Sequence, residues 1–433
     1  MPLWTNWAAT AAASPLRVES PRTFAELVHV ITLAAGEKQR VKAVGAGHSF
    51  TPIAVTDGIQ VRLDKLNGII HVDQQTGLVT VRAGTPLHEL NSLLWELGLS
   101  MSNLGDIDVQ TISGAISTGT HGTGIRLGGL ATQVRALQLV LADGTILDCS
   151  RTENADVFAA ARIGLGALGV LATVTLQCEP AFALRAVESP GSLDEMLAGL
   201  DDLVRDNDHF EFYWFPHTRR VLTKQNNRVP AGTPLAPVGK VRGYVDDELL
   251  ANRVFEWVNR LATVRPQLIP RLNAISARAL SAREYVDRSH AVFTSSREVR
   301  FREMEYAVPR DAVPHVLAEI EAWIERSDER IAFPVEVRFA AADDIWLSTA
   351  HERESGYLAV HQYARREHER YFDAVESIAM SVNGRPHWGK LHRRDAASLR
   401  DAYPRFDDFV ALRDRLDPHR MFGNAYLDSV LGP

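Results

Sequence analysis

Hydrophobic and polar residues change rhythm several times along the chain, and each change predicts an element. Thr23-Phe24-Ala25-Glu26 sets a hydroxyl three positions before a carboxylate, the spacing of a capping box, and Leu27, Val28, Ile31 and Leu33 follow as a helical apolar stripe. Val41–Val44 is then a short apolar strand, Ile59–Leu63 a second, and Gly68–Val72 with Leu78–Val81 a hairpin turning at 73–77. Thr85-Pro86 starts another helix, with proline in its first turn, Leu90, Leu93, Leu94 and Leu97 on one side and Gly98 as its stop. Val134–Leu141 and Thr145–Cys149 flank Asp143-Gly144, a strong hairpin signal, and Val170–Gln177 is a further strand. Several hairpins, without regular strand–helix alternation, make this part α+β rather than a doubly wound parallel sheet.

Beyond Pro180 the segments lengthen. Phe210, Phe212 and Trp214 alternate with His209, Glu211 and Tyr213, which predicts a half-buried strand; 229–243 is a Pro/Gly-rich loop, and 246–262 and 281–286 read as helices. In Phe333–Phe339 strict alternation puts Phe333, Val335, Val337 and Phe339 on one face, and Glu336 and Arg338 together on the other. The strand Leu358–Tyr363 sets His361 and Tyr363 on a common face. If the two strands pair, four polar tips gather on one wall, as binding a polar substrate requires; the plain alternatives are a surface ion pair and a structural histidine. After a helix ending near Gly384, Arg385–His392 is dense in His, Trp and Lys, and Lys390 suits a substrate oxygen or a flavin carbonyl in a cleft, or is merely solvated on a surface. Leu416–Asn424 reads as a turn and a short strand. The expected domains are 1–182, a second unit at 183–384, and a segment 385–433 that closes the chain.

A length of 433 residues favours more than one core, and 45% hydrophobic with 23% charged residues is ordinary globular composition. The net charge of -7, without a dense Lys/Arg block, argues against nucleic acid or another polyanion as partner. Cys149 and Cys178 are the only thiols, which suits a reducing compartment and excludes a disulfide scaffold or a cysteine zinc cluster. No secretory leader is evident, and no apolar run approaches the roughly 18 residues of a membrane helix. The expectation is a cytoplasmic protein without an integral membrane segment, peripheral attachment being left open. No His-x-x-x-His or His-Glu-x-x-His pair occurs, so no metal site is expected.

Two Gly-rich runs carry the chemistry. Gly45-Ala46-Gly47-His48-Ser49-Phe50 follows the Val41–Val44 strand, and its two glycines let backbone N–H groups approach an anion. It is neither a Rossmann fingerprint, since Phe50 stands where the third glycine would fall, nor a Walker loop. The second run, 113–124, offers hydroxyls and backbone N–H groups with little side-chain bulk at Ser113, Gly114, Ser117, Thr118, Gly119, His121 and Gly122. Either alone is as readily a tight turn; together they suit a pyrophosphate.

The order of landmarks, Gly-Ala-Gly-His-Ser-Phe, Ser-Thr-Gly-Thr-His-Gly-Thr-Gly, Glu-Val-Arg, His-Trp-Gly-Lys and Phe-Gly-Asn, resembles the aldonolactone oxidoreductases of the vanillyl-alcohol-oxidase flavoprotein superfamily, nearly end to end. The resemblance implies a PCMH-type FAD-binding domain formed by the first part and the closing segment, with an α+β substrate cap between them. It implies that His48 carries a covalent bond to the flavin, a bond neutral imidazole can form. It adds Gly105, Asp106, Gly169, Val170, His387 and Asn424 to the cofactor-binding positions. Gly105 stands where oxygen access is thought to be gated in relatives, and Asp106 departs from the serine of alditol oxidases, which favours a lactone.

By the same resemblance the reaction is oxidation of the C2 hydroxyl of an aldono-1,4-lactone of the L-gulono-1,4-lactone type, hydride passing to flavin N5; the product of that lactone enolises to ascorbate. Glu336 and Arg338 bind substrate hydroxyls and stabilise negative charge, Lys390 sits beside the reacting oxygen, and the proton goes to His361 or Lys390. The electron acceptor is oxygen, a cytochrome or a quinone. The runner-up is alditol oxidation, with xylitol or sorbitol as the polyol. Rivals of other classes are a metal-dependent hydrolase and a non-catalytic sugar-binding protein.

Overall fold

The computed structural model describes residues 3–239, 255–295 and 299–433. Near the N-terminus Arg17–Glu19, Ile59–Arg62 and Val41–Val44 form a small parallel sheet with Ile59–Arg62 central. The helix Phe24–Gly36 makes the crossover and buries Leu27, Ile31 and Ala34, while Leu33 stays exposed. Only half of the expected capping box forms. Thr23 Oγ1 accepts the Glu26 N–H, but the Glu26 carboxylate accepts from Arg22 rather than from Thr23.

The predicted hairpins lie in a five-stranded antiparallel sheet, in the order Ile146–Ser150, Val134–Val140, Val170–Gln177, Leu78–Arg82, Ile69–Asp73. Gly144 turns one of them at φ +86°, in the left-handed region open to glycine. The helix Leu87–Glu96 begins one residue later than the sequence suggests, with Pro86 as its cap, and Gly98 ends it at φ +72°.

The middle of the chain builds an eight-stranded antiparallel sheet: Arg283–Arg288, Ala183–Ser192, Arg220–Arg228, His209–Phe215, Val335–Ala340, Ser355–Tyr363, Phe301–Pro309, Arg385–Pro386. Three expectations need correction here. The segment 281–286, read as helix, is the edge strand Arg283–Arg288, because it finds a partner in Ala183–Ser192. The strand His209–Phe215 is covered on both faces rather than half-buried, so its polar residue Glu211 is only 5% exposed. The stretch Leu416–Asn424 holds the expected turn but no strand: it links the helices Phe406–Leu416 and Ala425–Leu431, and the Asp417 carboxylate accepts from the Met421 and Phe422 N–H groups. The helix expected at 246–262 falls partly outside the described residues; within them it spans Phe255–Val264.

Two large apolar cores result. One joins Leu27, Val79, Leu139 and Phe158 to Trp388, Phe422 and Leu431. The other packs Phe210, Phe212 and Trp214 with Val337, Leu358 and the helices Val313–Ser327 and Glu369–Ser381. The last residues are stitched to the first sheet. Val41 N–H donates to Met421 O (2.8 Å), Lys42 Nζ to Phe422 O (2.8 Å), and the Asn424 amide to the carbonyls of Pro52, Ile53 and Val55. Among the described residues no helix is long and apolar enough to cross a membrane.

Candidate active site

Two cavities, of about 570 and 100 Å³, meet at Ser49 and Thr118. The narrow one runs between the two Gly-rich runs, bordered by Gly45, Ser113, Gly114, Ser117, Gly169 and the buried Lys42. The first run ends its strand against Thr111, so closely that a Cβ on Gly45 would stand 2.5 Å from Thr111 Oγ1, and Gly47 turns at φ +70°. The turn leaves the N–H groups of Ala46, Gly47, His48 and Ser49 without a protein acceptor among the described residues. Four consecutive N–H groups in this state make the turn a candidate main-chain anion nest. The second run is not all loop: its first half is the short helix Ile112–Ser117, capped by Thr111. A slender anion-holding channel opening into a wide chamber fits the shape and donor needs of FAD.

His48 lies in the wide chamber. Its ring stacks on Trp7 (centroids 5.7 Å apart, planes at 20°) and its Nδ1–H donates to Ala46 O (3.2 Å). Burial pushes the imidazole pKa down, a direction Lys390 reinforces, so the ring is neutral near pH 7 with Nε2 carrying a lone pair. Gly105 borders the same space, where an added Cβ would stand 3.0 Å from Thr120 Cγ2.

The opposite wall comes from three adjacent strands. Register sets Glu305 opposite Ala359 and Ala359 opposite Glu336, while Glu303 faces His361 directly. With only a methyl between the two outer glutamates, the carboxylates share one polar surface. Arg338 forms ion pairs with Glu336, with Glu211 (3.0 Å, too bent for a hydrogen bond) and with Asp106 (3.8 Å). Glu211 also meets Lys224 (2.9 Å), which stands opposite Glu188 in register, and Glu188 meets Arg283 (2.7 Å). Charge therefore alternates across five neighbouring strands and ends at the cavity. Burial alone would raise the Glu211 carboxyl, but Lys224 and Arg338 outweigh it and hold it at about 2. Burial would lower the Arg338 guanidinium, yet Glu336 and Glu211 raise it well above its ordinary value.

Lys390 Nζ is ion-paired with Glu303 and lies 5.1 Å from the Phe50 ring centroid. Desolvation alone would lower its pKa; Glu303 and then Glu305 reverse this and raise it above 10.5. Glu303 also reaches His361 Nε2 (3.5 Å), whose Nδ1 lies 3.4 Å from Pro334 O. Glu305 accepts from His121 Nε2 (3.2 Å), and His387 completes a group whose ligand-type atoms lie within 4.8 Å of one another. Burial takes His387 down to about 4, so it is neutral, its Nδ1 accepting from the Gly389 N–H.

The sequence-derived residues thus divide by place. His48, Ser49, Phe50, Gly105, Asp106, Thr118, His121, Glu336, Arg338, His361, His387 and Lys390 border the wide cavity. Gly45, Ser113, Gly114, Ser117 and Gly169 border the narrow one, and Ala46 and Gly47 form the turn between. Gly119 lies behind His121, and Gly122 packs where a Cβ would stand 2.1 Å from Leu104 O. Val170 is a buried strand residue, and Asn424 fastens the chain end. Tyr363 is not on the wall: its hydroxyl donates to Glu256 (2.6 Å), away from the cavity. Trp7, Glu211, Glu303 and Glu305 went unrecognised in the sequence. For the two glutamates of Phe301–Pro309 a signal existed, since period-two alternation places them on one face just as it does Glu336 and Arg338.

Comparison with known proteins bears on this site. A family profile described as D-arabinono-1,4-lactone oxidase matches residues 174–430, and one described as FAD binding domain matches residues 15–150. The chain is 44% identical over 435 residues to an L-gulono-1,4-lactone dehydrogenase of Mycobacterium tuberculosis, covering 100% of both chains. It is 38% identical to an L-gulonolactone oxidase of Bos taurus, over 98% of this chain and 97% of that one. A cholesterol oxidase from Brevibacterium sterolicum shares the fold, with TM-score 0.84 at 20% identity, over 100% of this chain and 96% of that one.

Proposed function

We propose, because the chain belongs to the D-arabinono-1,4-lactone oxidase family of FAD-dependent aldonolactone oxidoreductases in the vanillyl-alcohol-oxidase superfamily, that it oxidises the C2 hydroxyl of an aldono-1,4-lactone of the L-gulono-1,4-lactone type. The observation that carries this reading is the shared chamber: the His48 ring and the Glu336, Arg338, Lys390 and Glu303 side chains border one space. When bound, FAD supplies the acceptor for the two electrons of the alcohol. The main-chain N–H groups at 46–49 would hold its diphosphate, and His48 would be the residue that tethers it covalently.

Glu336 accepts hydrogen bonds from substrate hydroxyls, and Arg338, fixed on three sides by carboxylates, keeps one orientation toward the ring oxygens. Lys390 remains an ammonium at neutral pH and stabilises negative charge at the reacting oxygen. An ammonium cannot accept a proton, so that task falls to His361, whose Nε2 lies 3.5 Å from the Glu303 carboxylate. Glu303 thereby serves both neighbours. Both cysteines are free, buried thiols, which supports a reducing compartment such as the cytoplasm. Product from L-gulono-1,4-lactone would enolise to ascorbate. The test is anaerobic bleaching of the purified yellow protein. L-gulono-1,4-lactone should reduce the flavin far faster than xylitol or sorbitol; the reverse order would make it an alditol oxidase, and no bleaching by either would overturn the reading.

A further inference from the structure

The turn that bears His48 is clamped by residues near the N-terminus. Trp4–Thr5 pairs antiparallel with Ala12–Ala13, and the loop between them meets the turn. Trp7 N–H donates to Gly47 O (2.8 Å), the Asn6 amide to Ser49 O (2.9 Å) and Thr10 Oγ1 to Phe50 O (2.7 Å). Asn6 is buried, and its oxygen accepts from the Thr10 and Ala11 N–H groups, which ties the loop to itself. The hairpin thus occupies the carbonyls of Gly47, Ser49 and Phe50 and leaves the N–H groups of the turn to an anion.

Trp7 also reaches the His48 side chain itself. Two contacts restrain that ring: the hydrogen bond from Nδ1–H to Ala46 O (3.2 Å) and the stack on the Trp7 indole (centroids 5.7 Å apart, planes at 20°). The indole is braced in turn by Phe301 (5.3 Å, 70°) and Phe50 (6.2 Å, 81°), both edge-on. The hydrogen bond decides which nitrogen carries the lone pair, and the stack sets the plane of the ring and so the line along which Nε2 points. We infer that Trp7 is a positioning residue for covalent attachment, its indole aiming His48 Nε2 at the flavin. This rests on the reading that His48 carries the tether. In that step Nε2 bonds to the 8α-methyl carbon of the flavin, and that carbon and Nδ1 each give up a proton. The flavin ring takes up both protons with the electron pair of the broken C–H bond, and dissolved oxygen then reoxidises it, leaving as hydrogen peroxide.

The test adds FAD in air to the flavin-free, full-length protein. Binding is read from the quenching of FAD fluorescence, and the tether from flavin that stays with the acid-precipitated polypeptide. Trp7→Ala keeps the backbone bond to Gly47 O, so it should still bind FAD, yet form the tether about tenfold more slowly. Trp7→Phe, which keeps an aromatic ring against the imidazole, should recover most of the rate. Equal tethering rates in Trp7→Ala and the wild type overturn the inference. So does a loss of binding that matches the loss of rate, which would make Trp7 a support of the fold alone, and so does a Trp7→Phe rate no better than that of Trp7→Ala. Failure of the underlying reading shows separately: flavin that leaves the acid-precipitated wild type, or stays with His48→Ala, removes the tether from His48 and the inference with it.

Discussion

At the scale of single residues, the site depends on which groups hold protons. His48 is driven toward the neutral form mainly by burial, and a neutral ring on a tight turn is what a covalent tether needs. In His48→Ala the protein should still bind flavin through the main-chain nest, but acid precipitation should leave the yellow absorbance in the supernatant, whereas the wild type should carry it into the pellet. Lys390 presents the opposite case. Its pKa is raised because Glu303 and Glu305 outweigh the cost of burial, so the ammonium persists through neutral pH and is lost only well into alkali. Glu303→Gln removes the larger of the two raising influences and keeps the desolvation. The pKa of Lys390 must then fall, and the alkaline limb of kcat/KM should move to lower pH; an unmoved limb would show that Lys390 takes no part. In Arg338→Met the loss of one fixed donor should cost about 100-fold or more in kcat/KM. The three carboxylates it leaves together, at Asp106, Glu211 and Glu336, should also destabilise the fold by roughly 3–5 kcal/mol.

At the scale of elements, the strand is what makes the wall, because a period of two sends every second side chain to the same surface. That regularity made Glu336 and Arg338 legible in the sequence before any fold was known. Glu303 and Glu305 obey the same rule, but their partners His361, Lys390 and His121 come from other elements, and alternation says nothing about which strands become neighbours. Arg283–Arg288 shows the same limit: its six residues fit a helix or a strand, and only pairing with Ala183–Ser192 decides. The closing helix was legible in principle, since Leu427, Val430 and Leu431 follow the Asn424 cap at helical spacing. The hairpins and the glycine turns were readable because local chemistry alone determines them. Register also links the strands electrically, from Arg283 through Glu188, Lys224 and Glu211 to Arg338. With the Glu211 carboxyl held at about 2 against an ordinary 4.5, its contribution is fully present above pH 4.5 and is lost as pH falls toward 2. The stability difference between wild type and Glu211→Gln, from urea midpoints, should therefore shrink over that window. A constant difference would mean that the charge ladder does not stabilise the sheet.

At the scale of the whole molecule, the chain closes on itself: its last residues complete the core that its first residues begin. Phe422, Leu427, Val430 and Leu431 belong to the same apolar cluster as Leu27, Val41 and Ile59. Asn424 fastens this closure with one side chain, its amide donating to the carbonyls of Pro52, Ile53 and Val55 while its oxygen accepts the Leu427 N–H at the start of the final helix. Those three carbonyls follow the glycine turn that bears His48, so fixing them fixes the approach to the cofactor channel. Asn424→Ala removes the cap and leaves buried acceptors unmatched, a loss of about 2–4 kcal/mol. The expected outcome is a lower temperature of flavin release with unchanged chemistry at lower temperature, since Asn424 borders neither cavity. Ending the chain at Leu416 is the stronger form of the same experiment. It withdraws five core side chains, Met421 among them, and the Phe422 carbonyl that Lys42 needs, so flavin should fail to load although every residue of the wall opposite is still present. Normal flavin loading by the shortened chain would mean that the closing segment covers a domain already complete without it.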